Sequence, residues 1–256
     1  MGEANRRRRE LQAGKLDFRI AYSTQRMIHH FGKLIIVSLG GSIICPEDID
    51  WKYLKEFKRF VHQWLRRGKR FFIVPGGGRI SRKYQEAAAK AHKITNEDKD
   101  WIGIHATRLN AHLLRTVFRE FADPIVFDSR HKFRKLRYPV TIASGWRPGW
   151  STDYVSTVLA VDFGVGEVIN ASVVPYVYDK NIMQHEDAKP IMDITWREYR
   201  KLVPSRWIPG AHYPIDPIAA RLADREGITF IAIDGRNLKN FNNVIAEKDF
   251  HGSIIR

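Results

Sequence analysis

Two glycine-rich turns carry backbone N–H groups that could bind an anion. Gly40-Gly41-Ser42 follows an apolar run that starts at Leu34, and Gly76-Gly77-Gly78 follows a second apolar run. Glycine lets the backbone turn tightly and bring its N–H groups close to a ligand. A helix that begins after such a turn adds partial positive charge at its start, and Arg82 could clamp a phosphate with two parallel hydrogen bonds. One such turn could be a simple connection; two of them favour phosphate binding.

The two turns match neither of the common nucleotide-binding motifs. They lack the P-loop pattern G-x-x-x-x-G-K-[ST] and the dinucleotide pattern G-x-G-x-x-G, so a nucleotide must be held in another way. The ten histidines show no metal-ligand spacing such as H-E-x-x-H. The sequence therefore predicts no direct protein ligands for a metal ion.

Polar residues at two further helix starts allow two interpretations. Ser151, Thr152 and Asp153 end a loop that also holds Trp146 and Trp150. One of the three could cap a helix, but three in a row exceed what a single cap needs. Asp216-Pro217 is a well-formed helix start by itself, with aspartate at the N-cap and proline at the first helical position. Helix capping alone is enough to explain an aspartate at position 216, unless other motifs of the chain point to a chemical role for it.

The elements that would position these residues alternate between strands and helices. Apolar runs predict strands at 34–39, 71–74, 124–127, 140–143, 167–171 and 228–233. Helical spacing predicts helices at 50–67, 80–92, 100–121, 152–163 and 216–226. This alternation predicts a mainly parallel sheet with helices on both faces. Ligands of such sheets bind at the carboxyl ends of the strands, where the glycine turns lie.

Composition limits the class of protein. The 256 residues carry a formal charge of +15, which suits a partner or ligand with negative charge, and Arg6 to Arg9 form the densest basic run. Net charge is the only argument for nucleic acid, so nucleic-acid binding is not expected. Cys45 is the only cysteine and no apolar run nears the roughly 20 residues that span a bilayer, which predicts a cytoplasmic protein without membrane contact. We expect a basic extension at 1–32 and one domain at 33–256.

Taken in order, the motifs of residues 33–256 resemble those of the amino acid kinase superfamily, and within it the archaeal-type uridylate kinases. The most specific stretch is D-x-I-G-I-x-x-T-R-x-N-A at 100–111. The other matching segments are 39–42, 75–79 with 82–84, 148–153, 177–178, 215–221 and 252–255. The resemblance implies a three-layer αβα sandwich, commonly a hexamer, that transfers the γ-phosphoryl group of ATP to UMP with Mg²⁺ in pyrimidine nucleotide biosynthesis.

The resemblance also implies roles for particular residues. Asp153, Asp216 and Arg82 would organise the transfer of the phosphoryl group. UMP would be bound by Gly77, Asp100, Trp146, Arg147, Pro148, Gly149, Trp150, Ser151 and Thr152. ATP would be bound by Gly41, Ser42, Gly78, Arg82, Ser172 and Tyr178.

Two departures from the family pattern keep other functions open. Many superfamily members have a catalytic lysine where this chain has Ser38, although the archaeal branch also tends to lack it. The nucleotide loop T-N-V-D-G-V-Y reads S-V-V-P-Y-V-Y at 172–178, and a following aspartate is replaced by Asn181. Two alternatives therefore remain: a related kinase with another small phosphorylated acceptor, and a kinase-like protein that binds nucleotide or anion without turnover.

Overall fold

The computed structural model describes residues 29–130, 135–205 and 213–256. Within these ranges the strands are β1 (Leu34–Leu39), β2 (Arg70–Pro75), β3 (Val140–Ile142), β4 (Glu167–Ser172), β5 (Val177–Tyr178), β6 (Pro190–Ile191), β7 (Asp193–Ile194), β8 (Thr229–Asp234) and β9 (Ser253–Ile255). The helices are α1 (Gly41–Ile44), α2 (Trp51–Leu65), α3 (Gly78–Ala91), α4 (Asn96–Val117), α5 (Thr152–Asp162), α6 (Trp196–Leu202), α7 (Pro217–Glu226) and α8 (Leu238–Ile245).

The main sheet has seven strands in the order β3-β2-β1-β4-β8-β9-β7. All neighbouring pairs are parallel except β8 and β9, which are antiparallel. Strand β1 lies between β2 and β4, so the loops after these three strands meet at one edge of the sheet. Strands β5 and β6 form a separate antiparallel pair.

The strands bury both of their faces, and each face packs against its own layer of helices. Alternate residues of β1 show this: Ile35 and Val37 lie in a core shared with α2, α4 and α8, whereas Ile36 lies in a second core shared with α5, α6 and α7. Side chains alternate between the two faces along a strand, so a strand buried on both sides is apolar almost throughout. The predicted three-layer αβα arrangement is confirmed.

The predicted strand at 124–127 is wrong. This segment makes only a single bridge to the sheet, between Phe127 and Ala143, and Ile125 is exposed. The Asp123 side chain accepts a 2.9 Å hydrogen bond from the backbone N–H of Ile125, which bends the chain into a turn where a strand would have to be extended. The short run of apolar residues resembled a strand, but Pro124 and this turn prevent pairing.

The end of the predicted N-terminal extension packs on the folded domain. Residues 1–28, which include the arginine run, lie outside the described residues. His29 is buried and its Nε2 lies 2.7 Å from the carbonyl oxygen of Val244. The backbone N–H groups of His30 and Phe31 donate 3.0 Å hydrogen bonds to the carboxylates of Glu167 and Glu247. No helix in the described ranges is long and apolar enough to cross a membrane.

Candidate functional site

The two glycine turns lie directly against each other at the carboxyl ends of β1 and β2. A Cβ atom added to Gly41 would lie 2.1 Å from the backbone nitrogen of Gly78. A Cβ atom added to Gly78 would lie 2.3 Å from the carbonyl oxygen of Gly41, and Gly78 has a φ of +67°. No side chain fits at either position, because backbone occupies the space that its first carbon needs. The glycines therefore permit two strand ends to approach closely, as an anion cradle requires.

Arg82 and Asn110 connect the glycine turns to the helices behind them. Arg82 lies one turn into α3, and its Nη2 donates a 3.3 Å hydrogen bond to Oγ of Ser42. Asn110 is buried in α4, and its Nδ2 donates a 2.7 Å hydrogen bond to the carbonyl oxygen of Gly76. The Arg82 guanidinium thus contacts the first glycine turn from the helix that begins at the second. Asn110 belongs to the stretch at 100–111 but was not singled out from the sequence.

The loop from Gly145 to Ser151 is held by two residues of α4. The hydroxyl of Thr107 accepts a 2.8 Å hydrogen bond from the N–H of Gly145. Near the other end of the loop, Gly149 has a φ of +79°. Its N–H donates a 2.8 Å hydrogen bond to Oδ2 of Asp100. The Asp100 carboxylate is therefore already engaged with the loop that the sequence predicts to surround UMP.

The tryptophans of this loop occupy different environments. Trp146 is buried, and its Nε1 donates a 3.2 Å hydrogen bond to the carbonyl oxygen of Phe127. Trp150 is half-buried; the guanidinium of Arg147 lies 4.5 Å from its ring centre, and the ring of Tyr154 lies 4.7 Å from it. Trp146 therefore shapes the loop from within, whereas Arg147 and Trp150 form its outer cationic and aromatic surface.

Asp153 is held by two neighbouring strands of the sheet. Ser38 of β1 and Asn170 of β4 are directly paired across the sheet. The hydroxyl of Ser38 donates a 2.8 Å hydrogen bond to Oδ1 of Asp153, and Nδ2 of Asn170 donates one of 3.0 Å to the same oxygen. Although the residue keeps a little exposed surface, its carboxyl group is enclosed. Burial, reinforced by the nearby charge of Asp216, raises the pKa of Asp153 to about 7.

Asp216 caps α7 and also contacts the start of α5. Its Oδ1 accepts hydrogen bonds of 2.8 and 3.0 Å from the N–H groups of Ile218 and Ala219, and its Oδ2 accepts one from the hydroxyl of Ser151. Ser151 in turn caps α5, since its Oγ accepts a 3.0 Å hydrogen bond from the N–H of Tyr154. Burial raises the pKa of Asp216, and the hydrogen bond from Ser151 opposes this shift. Both Asp216 and Ser151 are therefore caps, and they also touch each other.

The structure thus brings two enclosed carboxyl groups together beside the glycine turns. Asp153 bonds to Ser38, which lies two residues before Gly40, and Asp216 reaches the same place through Ser151. The charge of Asp216 helps to raise the pKa of Asp153, and a cation near the two carboxyl groups would relieve this repulsion. Together with the N–H groups and Arg82, the edge of the sheet offers both anion-binding and cation-attracting groups, as phosphoryl transfer requires.

The segment 172–178 is held by a turn of its own and by Arg236, which follows β8. The hydroxyl of Ser172 closes a turn by accepting a 3.1 Å hydrogen bond from the N–H of Val174. The Arg236 guanidinium, which is paired with Asp234, donates a 3.3 Å hydrogen bond to the carbonyl oxygen of Val173. Tyr178 is half-buried at the end of this segment. Ser172 is therefore occupied locally, and Arg236 is a supporting residue that the sequence did not reveal.

Comparison with known proteins agrees with this arrangement. A sequence profile described as the amino acid kinase family matches residues 33–233. The chain is 33% identical over 229 residues to a uridylate kinase of Methanoregula boonei, covering 87% of this chain and 95% of that protein. It is 29% identical to a uridylate kinase of Methanocorpusculum labreanum over 231 residues, covering 86% and 94%.

Solved structures show the same fold. The structure of uridylate kinase from Archaeoglobus fulgidus superposes with a TM-score of 0.75 and 28% identity, covering 88% of this chain and 100% of that one. The structure of UMP kinase from Bacillus anthracis superposes with a TM-score of 0.70 at 18% identity, covering 88% and 96%. The second likeness concerns the fold alone.

Proposed function

Because the chain belongs to the amino acid kinase family, we propose that it transfers the γ-phosphoryl group of ATP to UMP, giving UDP and ADP. The observation that carries this proposal is the contact of Asp153 with Ser38 and Asn170, which places an enclosed carboxyl group beside the interlocked glycine turns. The relatives named uridylate kinase, which align over most of their length, support the same acceptor.

Such a reaction needs positioning and charge neutralisation more than acid–base chemistry. The phosphate of UMP is already an anionic nucleophile at pH 7, so no strong general base is required. The N–H groups of Gly41 and Gly78 and the guanidinium of Arg82 would neutralise phosphate oxygens. We assign Asp100 to the ribose of UMP, and the loop from Trp146 to Thr152 to its base and phosphate. Ser172 and Tyr178 would lie beside the ATP nucleoside.

The carboxyl groups of Asp153 and Asp216 fit a Mg²⁺ ion brought by ATP. Both are oxygen ligands of the kind that Mg²⁺ prefers, and burial raises the pKa of both. A nearby divalent cation would stabilise their ionised forms. When bound, Mg²⁺ would neutralise charge on the phosphates of ATP; Asp153 and Asp216 would hold it in place, directly or through water.

We further propose that the enzyme is a cytoplasmic homo-oligomer, a hexamer as the family resemblance implies. Three large apolar side chains on α3 and α4 are exposed in the single chain, at 68% for Tyr84, 41% for Trp101 and 59% for Leu109. An exposed apolar set of this kind is typical of a face that meets another protein surface. Light scattering coupled to size-exclusion chromatography measures the number of chains.

A coupled assay with MgATP and a panel of nucleoside monophosphates tests the proposed reaction. We expect turnover of UMP that exceeds turnover of CMP, AMP and GMP, with UDP as the product. A mock preparation from cells that do not express the protein, purified identically, controls for contaminating kinases. Turnover of a different acceptor would favour the related-kinase alternative. Binding of UMP without turnover would favour a protein that binds nucleotide but does not catalyse.

A further inference from the structure

A basic cavity lies between α6 and α7, and none of the glycine-turn residues lines it. Its volume is about 330 Å³. The polar and charged side chains that line it include Arg197, Arg200, Lys201, Ser205 and Arg221, and Pro217 forms part of its wall. Among the residues that the structure describes, no acidic side chain lines it. Four cationic side chains therefore surround one small space, a concentration of charge that favours an anion.

The cations converge because of their spacing on two helices. Arg197, Arg200 and Lys201 lie three and four residues apart, so they share one face of α6, while Trp196 and Tyr199 anchor α6 in the core. Arg221 extends toward them from the second turn of α7. The arrangement thus follows from the packing of two adjacent helices.

Two of the four cationic side chains are held in place by acceptors of the protein, and two are not. Arg200 pairs with Asp224 at 2.6 Å, and Arg221 donates a 2.7 Å hydrogen bond to the carbonyl oxygen of Ser205. In the part of the chain that the structure describes, Arg197 and Lys201 form no ion pair. The nearest acid on α6, Glu198, has its carboxylate bonded to the N–H and hydroxyl of Thr195 at the helix start.

We propose that this cavity is a second anion site, which binds the phosphate chain of a di- or triphosphate independently of the substrate site. The volume is at the small end of ligand pockets, which run from about 300 to 1,000 Å³, and suits a phosphate chain better than a whole nucleotide. Two fixed guanidinium groups can donate hydrogen bonds to phosphate oxygens without first being ordered, and the other two cationic side chains can reach the chain as it binds. The inference does not depend on the identity of the phosphoryl acceptor.

Calorimetry on the full-length protein, saturated with UMP and a non-hydrolysable ATP analogue, tests the site. Inorganic triphosphate is the probe, and CTP in a second series presents the same chain on a nucleoside. We expect one additional triphosphate per chain, and a loss of affinity of about tenfold or more in the Arg197→Ala/Lys201→Ala double variant, since charge-assisted contacts are lost. Equal binding of CTP would identify the chain as the recognised group, and tighter binding of CTP would identify a nucleotide as the ligand.

The Lys52→Ala/Lys55→Ala double variant is the matched control, because it removes the same charge from two exposed positions on α2. We expect the control to bind like the unmodified protein. An equal loss of triphosphate affinity in the control would show that net charge alone causes the effect, and it would overturn the proposal. Absence of additional binding, or displacement of the ATP analogue by the probe, would overturn it as well. Arg221→Gln, at a separate element, provides a second variant that must also weaken binding.

Discussion

The hydroxyl of Ser38 donates a 2.8 Å hydrogen bond to Oδ1 of Asp153, at the position where many amino acid kinases have a lysine. A lysine there would place a positive charge next to the carboxylate and lower its pKa. Serine supplies only a neutral donor, so burial dominates and the pKa of Asp153 is raised to about 7. The positive charge that this centre needs must therefore come from Arg82 and from a cation bound with the substrate.

The raised pKa of Asp153 predicts a pH-dependent cost to stability. Unfolded aspartate has a pKa of about 3.9, so between about pH 4 and 7 the folded protein binds more protons than the unfolded chain. The free energy of unfolding contributed by this group therefore falls as pH rises through that window. Asp153→Asn removes the ionisable group, and we expect the variant to gain melting temperature relative to the unmodified protein above pH 7.

Thermal unfolding without ligands at about pH 5 and about pH 8 measures this difference. The gain in melting temperature of the Asp153→Asn variant should be large at the higher pH and small at the lower one. Asp249→Asn, which changes an exposed carboxylate, should show no such dependence. A gain from Asp153→Asn that is the same at both pH values would mean that packing, and not ionisation, causes it.

Much of this centre is predictable from the sequence because its signals are local. The glycine turns, the strand at 34–39 and the cap at Asp216 each depend on neighbouring residues, and the structure has all of them. The contact of Asp153 with Ser38 and Asn170 is different. It requires β1 to pair with β4, and a parallel pair joins strands that are far apart in the sequence.

The elements that were missed are short or depend on distant partners. Strands β5 and β6 have two residues each, too few to show alternation, and β9 is extended because it pairs with β8. A local signal for α6 was present: Thr195 and Glu198 form a capping box. The family pattern likewise contains no indication of Arg236, because its role appears only when the segment at 172–178 folds against β8.

Arg82→Ala should weaken binding of phosphate-bearing ligands and leave the fold intact. The guanidinium bonds to Ser42 in the first glycine turn, and a charge-assisted contact contributes about 1.5–3 kcal/mol, or roughly ten- to a hundredfold in affinity. Calorimetric titration with UMP and with ATP measures the loss. Lys90→Ala, near the end of the same helix, removes an equal charge and should leave both affinities unchanged. Unaltered binding by Arg82→Ala would remove this residue from the site.

Gly41→Ala should disrupt the contact between the two turns. The new methyl carbon would lie 2.1 Å from the nitrogen of Gly78, so the strand ends must separate. We expect a clear loss of melting temperature, or of soluble protein, together with loss of phosphate binding. Gly166→Ala, where the added carbon meets no atom within 4 Å, is the control and should be nearly silent. If the two variants had the same melting temperature and phosphate affinity, neither property would depend on the close approach of the two turns.

Asp216→Asn separates the capping role from a role in catalysis. Asparagine caps helices about as well as aspartate, so the melting temperature should hardly change. If the carboxylate helps to hold the metal ion and the transferring group, kcat should fall by orders of magnitude, since each 1.36 kcal/mol lost from transition-state stabilisation is about tenfold in rate. Both quantities are measured on one preparation. Unchanged turnover would leave Asp216 as a helix cap alone.

Arg236→Ala tests whether the altered segment at 172–178 serves ATP. Arg236 bonds to both oxygens of Asp234 at 2.8 and 2.9 Å and reaches the carbonyl oxygen of Val173. Removing the guanidinium should loosen the segment at 172–178, beside which we propose that the ATP nucleoside binds. We expect the KM for ATP to rise by roughly tenfold, in keeping with the loss of charge-assisted contacts, while the KM for UMP stays constant.

The conservative variant Arg236→Lys sharpens this test. Lysine keeps the charge but cannot make the planar two-point contact with Asp234, so it should restore the KM for ATP only in part. Arg225→Ala, whose side chain is exposed and bonds to the adjacent Glu226, is the control for loss of charge. If KM for ATP and KM for UMP rise together in Arg236→Ala, the segment supports the fold as a whole. The selective rise would instead place the ATP nucleoside next to the turn that Arg236 holds.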